Sequence, residues 1–272
     1  MDINIDGLCY TYPNGVRALH EVDLTIRTGE QVAIVGQNGA GKTTLVKHLN
    51  GLLKPSGGEV RIGDWNTQTY SVAQLSSRVG YVFQNPDQQL FCSNVYQEAA
   101  FGPTNLRYKE AEVTRLVEGA LRLTGLQGKE ETNPYDLSPT WRKMVAVASI
   151  LAMDTPIVIL DEPTTGQDAV NIHRFTDIVT HLRKQGKTTI AITHDIDFGA
   201  ENFDRMIVMS QGQVLLEGPV REVVSRVDTL AESYVDPPQL TRLGMELGFT
   251  QTVSREEEFL AAYRVLIMGR SS

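Results

Sequence analysis

Along residues 1–35 apolar and polar positions change places every residue or two. The runs INIDGLCYTY, EVDLTI and QVAIVG, with the turn PNG between the first two, predict short strands. After Gly36 the rhythm becomes strand, glycine-rich turn and helix, with KTTLVKHLNGLL closed by KPSGG. EVRIGDWNT returns to strand, and VGYVFQNP predicts another that ends at Gln84. The stretch from about 94 to 153 reads as mainly helical, with breaks at GPTN and TNPYDLSP. Within it Ser138-Pro139 is a helix-opening signal, a hydroxyl N-cap followed by proline at the first helical position. The apolar runs in IVILDEP and TTIAITHD predict buried strands flanking the helix AVNIHRFTDIVTHLRKQG, and RMIVMSQGQVLLEG predicts a closing hairpin. Strands interleaved with helices predict an α/β domain on a mainly parallel sheet. Beyond about Val227 the pattern changes: DPPQLTRLGMELGF and SREEEFLAAYRVLI predict two short helices after a proline break.

Composition narrows the class of molecule. The 272 residues suffice for one large domain or a domain with an appendage, and 41% apolar content supplies a core. A formal charge of -8 has the wrong sign for non-specific nucleic-acid binding, which needs clustered Lys and Arg. Cys9 and Cys92 make no disulfide framework and are read as reduced thiols. MDINIDGLCY carries two acids and no apolar segment, so no signal peptide is expected there. The longest apolar run, MVAVASILAM, is far short of the ~20 residues of a spanning helix.

The chemistry begins at GQNGAGKT, Gly36 to Thr43, which matches G-x-x-x-x-G-K-[ST] between a strand and a helix. Glycines let such a loop curl so that backbone N–H groups cradle phosphate oxygens at a helix N-terminus. Lys42 is expected on the β- and γ-phosphates and the Thr43 hydroxyl on Mg²⁺. Asp161 ends a buried strand, where it can hold Mg²⁺ through water. Glu162, one residue on, can orient and deprotonate an attacking water. The residues point to a nucleoside triphosphate held with Mg²⁺.

Together with further motifs in the same order, these residues resemble the ATP-binding cassette (ABC) ATPases over about Met1 to Val227. The resemblance implies a P-loop NTPase fold with an antiparallel β subdomain and a helical subdomain at about 94–153. YTYPNG is similar to the stretch whose aromatic, here Tyr12, stacks on adenine. Gly36–Thr43 resembles the Walker A loop, which makes Gly36, Asn38, Gly39, Ala40, Gly41, Lys42, Thr43 and Thr44 nucleotide contacts. IVILDE resembles Walker B. Gln84 in VFQNP matches the Q-loop, which touches the metal and relays to a transport partner. TTGQD resembles the D-loop through Asp168, and ITHD makes His194 the switch histidine, a catalytic group with Glu162, Gln84 and Lys42.

YVFQNPDQQLF, AAFGPTNL, ILAMDTPIVILDEPT and the tail are similar to the energy-coupling-factor (ECF) group, which includes the cobalt-type importers. That likeness implies a pair of ATPases at the cytoplasmic face of the membrane, a transmembrane coupling protein touching Gln84 to Phe91, and a membrane subunit that binds substrate. The cargo would be a vitamin or a transition-metal ion. The tail at 228–272 is left open between dimer stabilisation, regulation and packing, with contact to the second ATPase favoured.

One motif departs from the family. The signature LSGGQ, which caps the nucleotide of the opposite subunit in trans, reads LSPTW here: Ser138 is kept, while Pro139, Thr140 and Trp141 replace Gly, Gly and Gln. Pro139 has no N–H to offer, and Thr140 is β-branched where close backbone approach is needed. One lost hydrogen bond to a charged group costs roughly 1.5–3 kcal/mol. Placed wholly on the transition state, that is about ten- to a hundredfold in rate. The expectation is an asymmetric heterodimer, with a homodimer of two weakened sites as the alternative. A soluble ABC ATPase acting on nucleic acid or ribosomes would carry a long coiled coil or a second cassette, and a nucleotide-gated scaffold would not need Glu162 and His194.

Overall fold

The computed structural model describes residues 1–270, and strands and helices alternate along them. Strands β1 (Ile3–Thr11) and β2 (Arg17–Ile26) precede β3 (Gln31–Val35), which feeds helix α1 (Lys42–Leu49). Next come β4 (Gly57–Ile62), β5 (Trp65–Asn66), α2 (Val72–Leu75) and β6 (Val79–Val82). Helices α3 (Val95–Asn105), α4 (Glu110–Thr124) and α5 (Pro139–Ala152) lead into β7 (Ile157–Asp161), α6 (Ala169–Lys184) and β8 (Thr188–Ile192). The chain continues through α7 (Ile196–Asn202), β9 (Arg205–Ser210), β10 (Gln213–Pro219), α8 (Val220–Ser225), α9 (Val227–Glu232), α10 (Gln239–Glu246) and α11 (Glu256–Arg270).

Two sheets form. One has the order β2-β1-β4-β5 and is antiparallel; the other has the order β10-β9-β3-β8-β7-β6 and is parallel except for the β9–β10 hairpin. Every residue of β3, β7 and β8 is buried, as a parallel strand covered on both faces requires. One face of the large sheet packs with the small sheet and α1 through Leu8, Leu19, Leu45, Leu49 and Ile62. The other packs under α3–α6 through Val117, Met144, Val147 and Phe175. In α4, Val113, Val117, Ala120, Leu121 and Thr124 recur at helical spacing on the buried side, and left-handed Gly125 ends the helix.

Two boundaries differ from the sequence reading. The strand expected to reach Gln84 stops at Val82, because its last ladder pair is Val82 with Leu160. The break expected at GPTN lies inside α3, which runs on through Pro103 to Asn105. Pro103 sits in the last turn, where the lost N–H forfeits one helical bond while its carbonyl still accepts from Tyr108. Past Val227, Leu230 is fully buried in the main core, so apolar contact runs into the tail. The tail is also fastened by polar contacts: the Gln239 N–H to Asp197 Oδ1 at 2.7 Å, Arg255 to Asp204 at 2.8 Å and Arg221 to Glu258 at 2.5 Å. Among the described residues no helix is long and apolar enough to cross a membrane.

Candidate functional site

The loop after β3 curls because glycine occupies its two tightest points. At Gly36 (φ 149°) a Cβ would lie 2.2 Å from the Met209 carbonyl oxygen. At Gly41 (φ 100°) it would lie 2.9 Å from that of Ala18. Gly41 also caps α1, with no side-chain cap bond and no acid in the first turn. The first N–H groups of that helix are therefore left to an anion from outside. Lys42 is buried, and its ammonium donates to the carbonyls of Gly36 (2.6 Å) and Gln37 (3.1 Å). Burial pulls its pKa down, partly offset by the charges of Glu162 and Asp161.

Asp161 is 1% exposed. Tyr81 OH donates to its Oδ2 at 2.5 Å, and the Thr43 hydroxyl lies 3.4 Å from its Oδ1. Burial raises the Asp161 pKa even though Tyr81, Lys143 and Thr43 favour its ionised form. Glu162 is 6% exposed and holds a left-handed backbone, φ 49°. Its Oε2 accepts from the Thr165 hydroxyl at 3.1 Å and lies 2.8 Å from His194 Nδ1.

These groups surround one cleft of about 670 Å³, lined by Tyr12, Asn38, Gly39, Ala40, Gly41, Lys42, Thr43, Thr44, Gln84 and Glu162 among others. Asp161 joins it through Thr43, and His194 through Glu162. Gly36 lies against the Met209 carbonyl and does not line the cleft. Tyr12 reaches the rim, with its hydroxyl 2.9 Å from that of Thr44 and its ring edge-on to Tyr10 at 4.9 Å. The donor set on offer to a metal is a hydroxyl, a carboxylate and an amide oxygen, which suits a small hard cation such as Mg²⁺. Among the described residues no group of three or more His, Cys, Asp or Glu is arranged to hold a metal.

Ser138 and Asp168 lie outside the cleft. Ser138 is exposed at the start of α5, and Asp168 caps α6, accepting from the Asn171 N–H at 2.8 Å. The expected hydroxyl cap on α5 does not form. Ser138 keeps the N-cap position, but its hydroxyl bonds that of Thr140 at 2.8 Å instead of a backbone N–H of the first turn. Trp141 turns toward the fold instead, with the charged ends of Arg174 and Lys129 at 5.0 and 5.4 Å from its ring.

Sequence reasoning missed several participants. Arg17 and His20 on β2, with Gln211 and Gly212 from the β9–β10 turn, line the same cleft, and nothing in their local pattern announces it. Tyr81 reads as an ordinary strand aromatic. Lys143 was hidden too: beside Arg142, just ahead of the apolar run 144–153, it reads as surface, yet it is 2% exposed, with burial pulling its pKa down to about 8.

Comparison with known proteins agrees with this geometry. The ABC transporter family matches residues 19–165. The chain belongs to that family, the ATP-binding cassettes. Within it, the chain is 39% identical over 243 residues to the energy-coupling factor transporter ATP-binding protein EcfA of Methanocaldococcus jannaschii, covering 89% of this chain and 87% of that protein. It is 41% identical to a relative in Methanosarcina acetivorans and 43% identical to one in Methanosarcina mazei, but spans only 43% and 46% of their lengths. Among solved structures, CbiO1 from Clostridium perfringens, part of the ABC transporter complex CbiONQ, shares 35% identity and a TM-score of 0.74 over 90% of this chain and 98% of its own. The cassette MJ0796, a dimer in a post-hydrolysis state with ADP and Pi, shares 27% identity and a TM-score of 0.74 over 80% of this chain and 99% of its own.

Proposed function

We propose that this chain is the ATP-binding and ATP-hydrolysing subunit of an energy-coupling-factor type ABC importer, working in a pair at the cytoplasmic face of a membrane. The observation that carries the reading is convergence on one cleft: Lys42 on the curled loop, Thr43 beside Asp161, and Glu162 beside His194. In this reading Lys42 exchanges the carbonyls of Gly36 and Gln37 for phosphate oxygens, and the loop N–H groups around Gly39 to Thr44 cradle the rest. Thr43, Asp161 and Gln84 would hold Mg²⁺, which when bound would neutralise phosphate charge. Glu162 takes a proton from the attacking water, with His194 and Thr165 fixing its carboxylate, and Tyr12 packs on adenine.

The pairing is proposed as asymmetric. This chain's nucleotide would meet an intact signature on a different ATPase, while the partner's nucleotide would meet Ser138 and the Pro139 that follows it. The exposed edge-on pair Phe91 and Phe101, 4.7 Å apart beside the Gln84 segment, offers an apolar seat for a transmembrane coupling protein. Leu243, Met245, Tyr263 and Val265 give the tail exposed apolar surface suited to the second ATPase; residues 271–272 of that tail lie outside the described residues. A membrane substrate-binding subunit would select the vitamin or transition-metal cargo. The names of EcfA and of the CbiONQ complex support this assembly.

The test is ATP turnover by the chain alone and after co-purification with a second ATPase and membrane subunits. Turnover is expected to rise in the assembly. Failure of the chain to bind ATP with Mg²⁺ in any assembly would overturn the reading.

A further inference from the structure

The parallel ladder between β6 and β7 ends at the pair Val82 and Leu160. The two segments that matter most for the nucleotide lie just past that point, where no strand bond joins them: Phe83 and Gln84 on one side, Asp161 on the other. Their backbone carbonyls converge on a single group. The ammonium of Lys143 donates to Phe83 O at 2.9 Å, Gln84 O at 2.9 Å and Asp161 O at 3.0 Å. A lysine has three N–H donors, and all three are used.

Lys143 arrives from α5, and the same helix grips the Gln84 segment twice more. Arg142 pairs with Asp87 at 2.8 Å. Gln89 donates to Ala146 O at 2.8 Å while accepting from the Phe83 N–H at 3.0 Å. Burying a lone ammonium is costly, and a Met or Leu would fill the same space without that penalty. What the charge adds is a bond network that an apolar side chain cannot make.

We propose that Lys143 is a positioning residue of the nucleotide site. Its ammonium staples the backbone of Gln84 to the backbone of Asp161 beyond the end of the β6–β7 ladder, and so sets how the two metal-facing side chains meet one cation. The assignment rests on the ATP and Mg²⁺ reading above. Lys143 touches neither the curled loop nor the adenine rim, so it affects the metal-dependent part of nucleotide binding and leaves the metal-independent part alone. Because it stands five residues from Ser138 on the same helix, it also ties the trans-facing end of α5 to the chain's own site.

The experiment measures ATP binding in EDTA and over a Mg²⁺ titration, with steady-state turnover, for the unsubstituted chain, Lys143→Met, Lys143→Gln and Lys143→Arg. Both neutral variants are expected to keep ATP affinity in EDTA, lose about 10- to 100-fold in the Mg²⁺ response and lower kcat with KM little changed. Lys143→Arg, which keeps the charge and the donors, is expected to recover part of the response. A folded neutral variant with an unchanged Mg²⁺ response and kcat overturns the proposal. An equal loss of ATP affinity in EDTA overturns it too, as does failure of both neutral variants to fold, since either makes Lys143 a general folding residue. If the unsubstituted chain itself shows no Mg²⁺-dependent ATP binding, the nucleotide-site reading falls and the Lys143 assignment falls with it.

Discussion

Helices α1 and α5 begin in opposite ways. Helix α1 opens on Gly41 with no side chain over its end, no acid in its first turn and a lysine folded back across the loop. Helix α5 opens on Pro139, with the Ser138 hydroxyl already paired to Thr140 and Trp141 drawn toward the fold. Both ends carry the positive pole of a helix. Only the first keeps its full set of N–H groups and the glycine geometry that lets a backbone approach an anion closely. A helix dipole is thus common to both, and what separates a cradle from a blunted end is which donors the first turn leaves open.

The contrast is broken most severely at Glu162. Glu162→Gln keeps the shape of the carboxylate and its Thr165 contact but removes the base, so ATP binding should persist while turnover falls about 10²- to 10⁴-fold. Equilibrium binding and single-turnover hydrolysis check this together, and retained hydrolysis would remove Glu162 from the role proposed for it. Replacing Pro139, Thr140 and Trp141 by Gly, Gly and Gln should sharpen the comparison in the other direction. One site of the pair is expected to gain about ten- to a hundredfold in rate, the value of one restored hydrogen bond to charge. No gain in any assembly would mean the altered signature is not what limits that site.

A smaller effect is expected at Tyr81. Tyr81→Phe strips the hydroxyl from Asp161 Oδ2 while keeping the ring that packs edge-on to Phe83. Burial already raises the Asp161 pKa, and losing this donor raises it further, so the Mg²⁺ requirement should shift to higher concentration and the acid limb of activity to higher pH. An unchanged Mg²⁺ titration would show that the hydroxyl only fills space.

The smallest effect is a gauge of the rest of the fold, far from both helix ends. Glu258 is pushed up by burial, but the Ser254 N–H and Arg221 outweigh that and hold its pKa below the usual 4.5. Its stabilising contribution is therefore complete above about pH 4.5 and disappears as the pH falls through its lower folded value. Thermal melts below pH 4.5 should drop more steeply for the parent than for Glu258→Gln. Parallel curves would mean that the Arg221 pair does not hold the tail in solution.

Much of this was legible beforehand because local rules and global fold agree. The glycine spacing of 36–43, the apolar run ending at Asp161, and the strand before His194 each encode position within a few residues of chain. The α5 boundary was equally plain, since proline at a first helical position reads the same in sequence and structure. What stayed hidden depends on distant partners. Tyr81 meets Asp161 across 80 residues, and Gln211 and Gly212 reach the cleft only because the β9–β10 turn packs on Ala40 and His20. The overextended strand at Gln84 has the same origin: the apolar pattern continues, but the ladder partner runs out at Leu160.

Glu162 occupies a left-handed backbone that a side chain with a Cβ rarely adopts. The fold pays roughly 1 kcal/mol or more to keep a glutamate in that conformation. A search for hardier variants that scored only heat resistance would drift toward glycine at 162 and arrive at a tougher protein stripped of its proposed base.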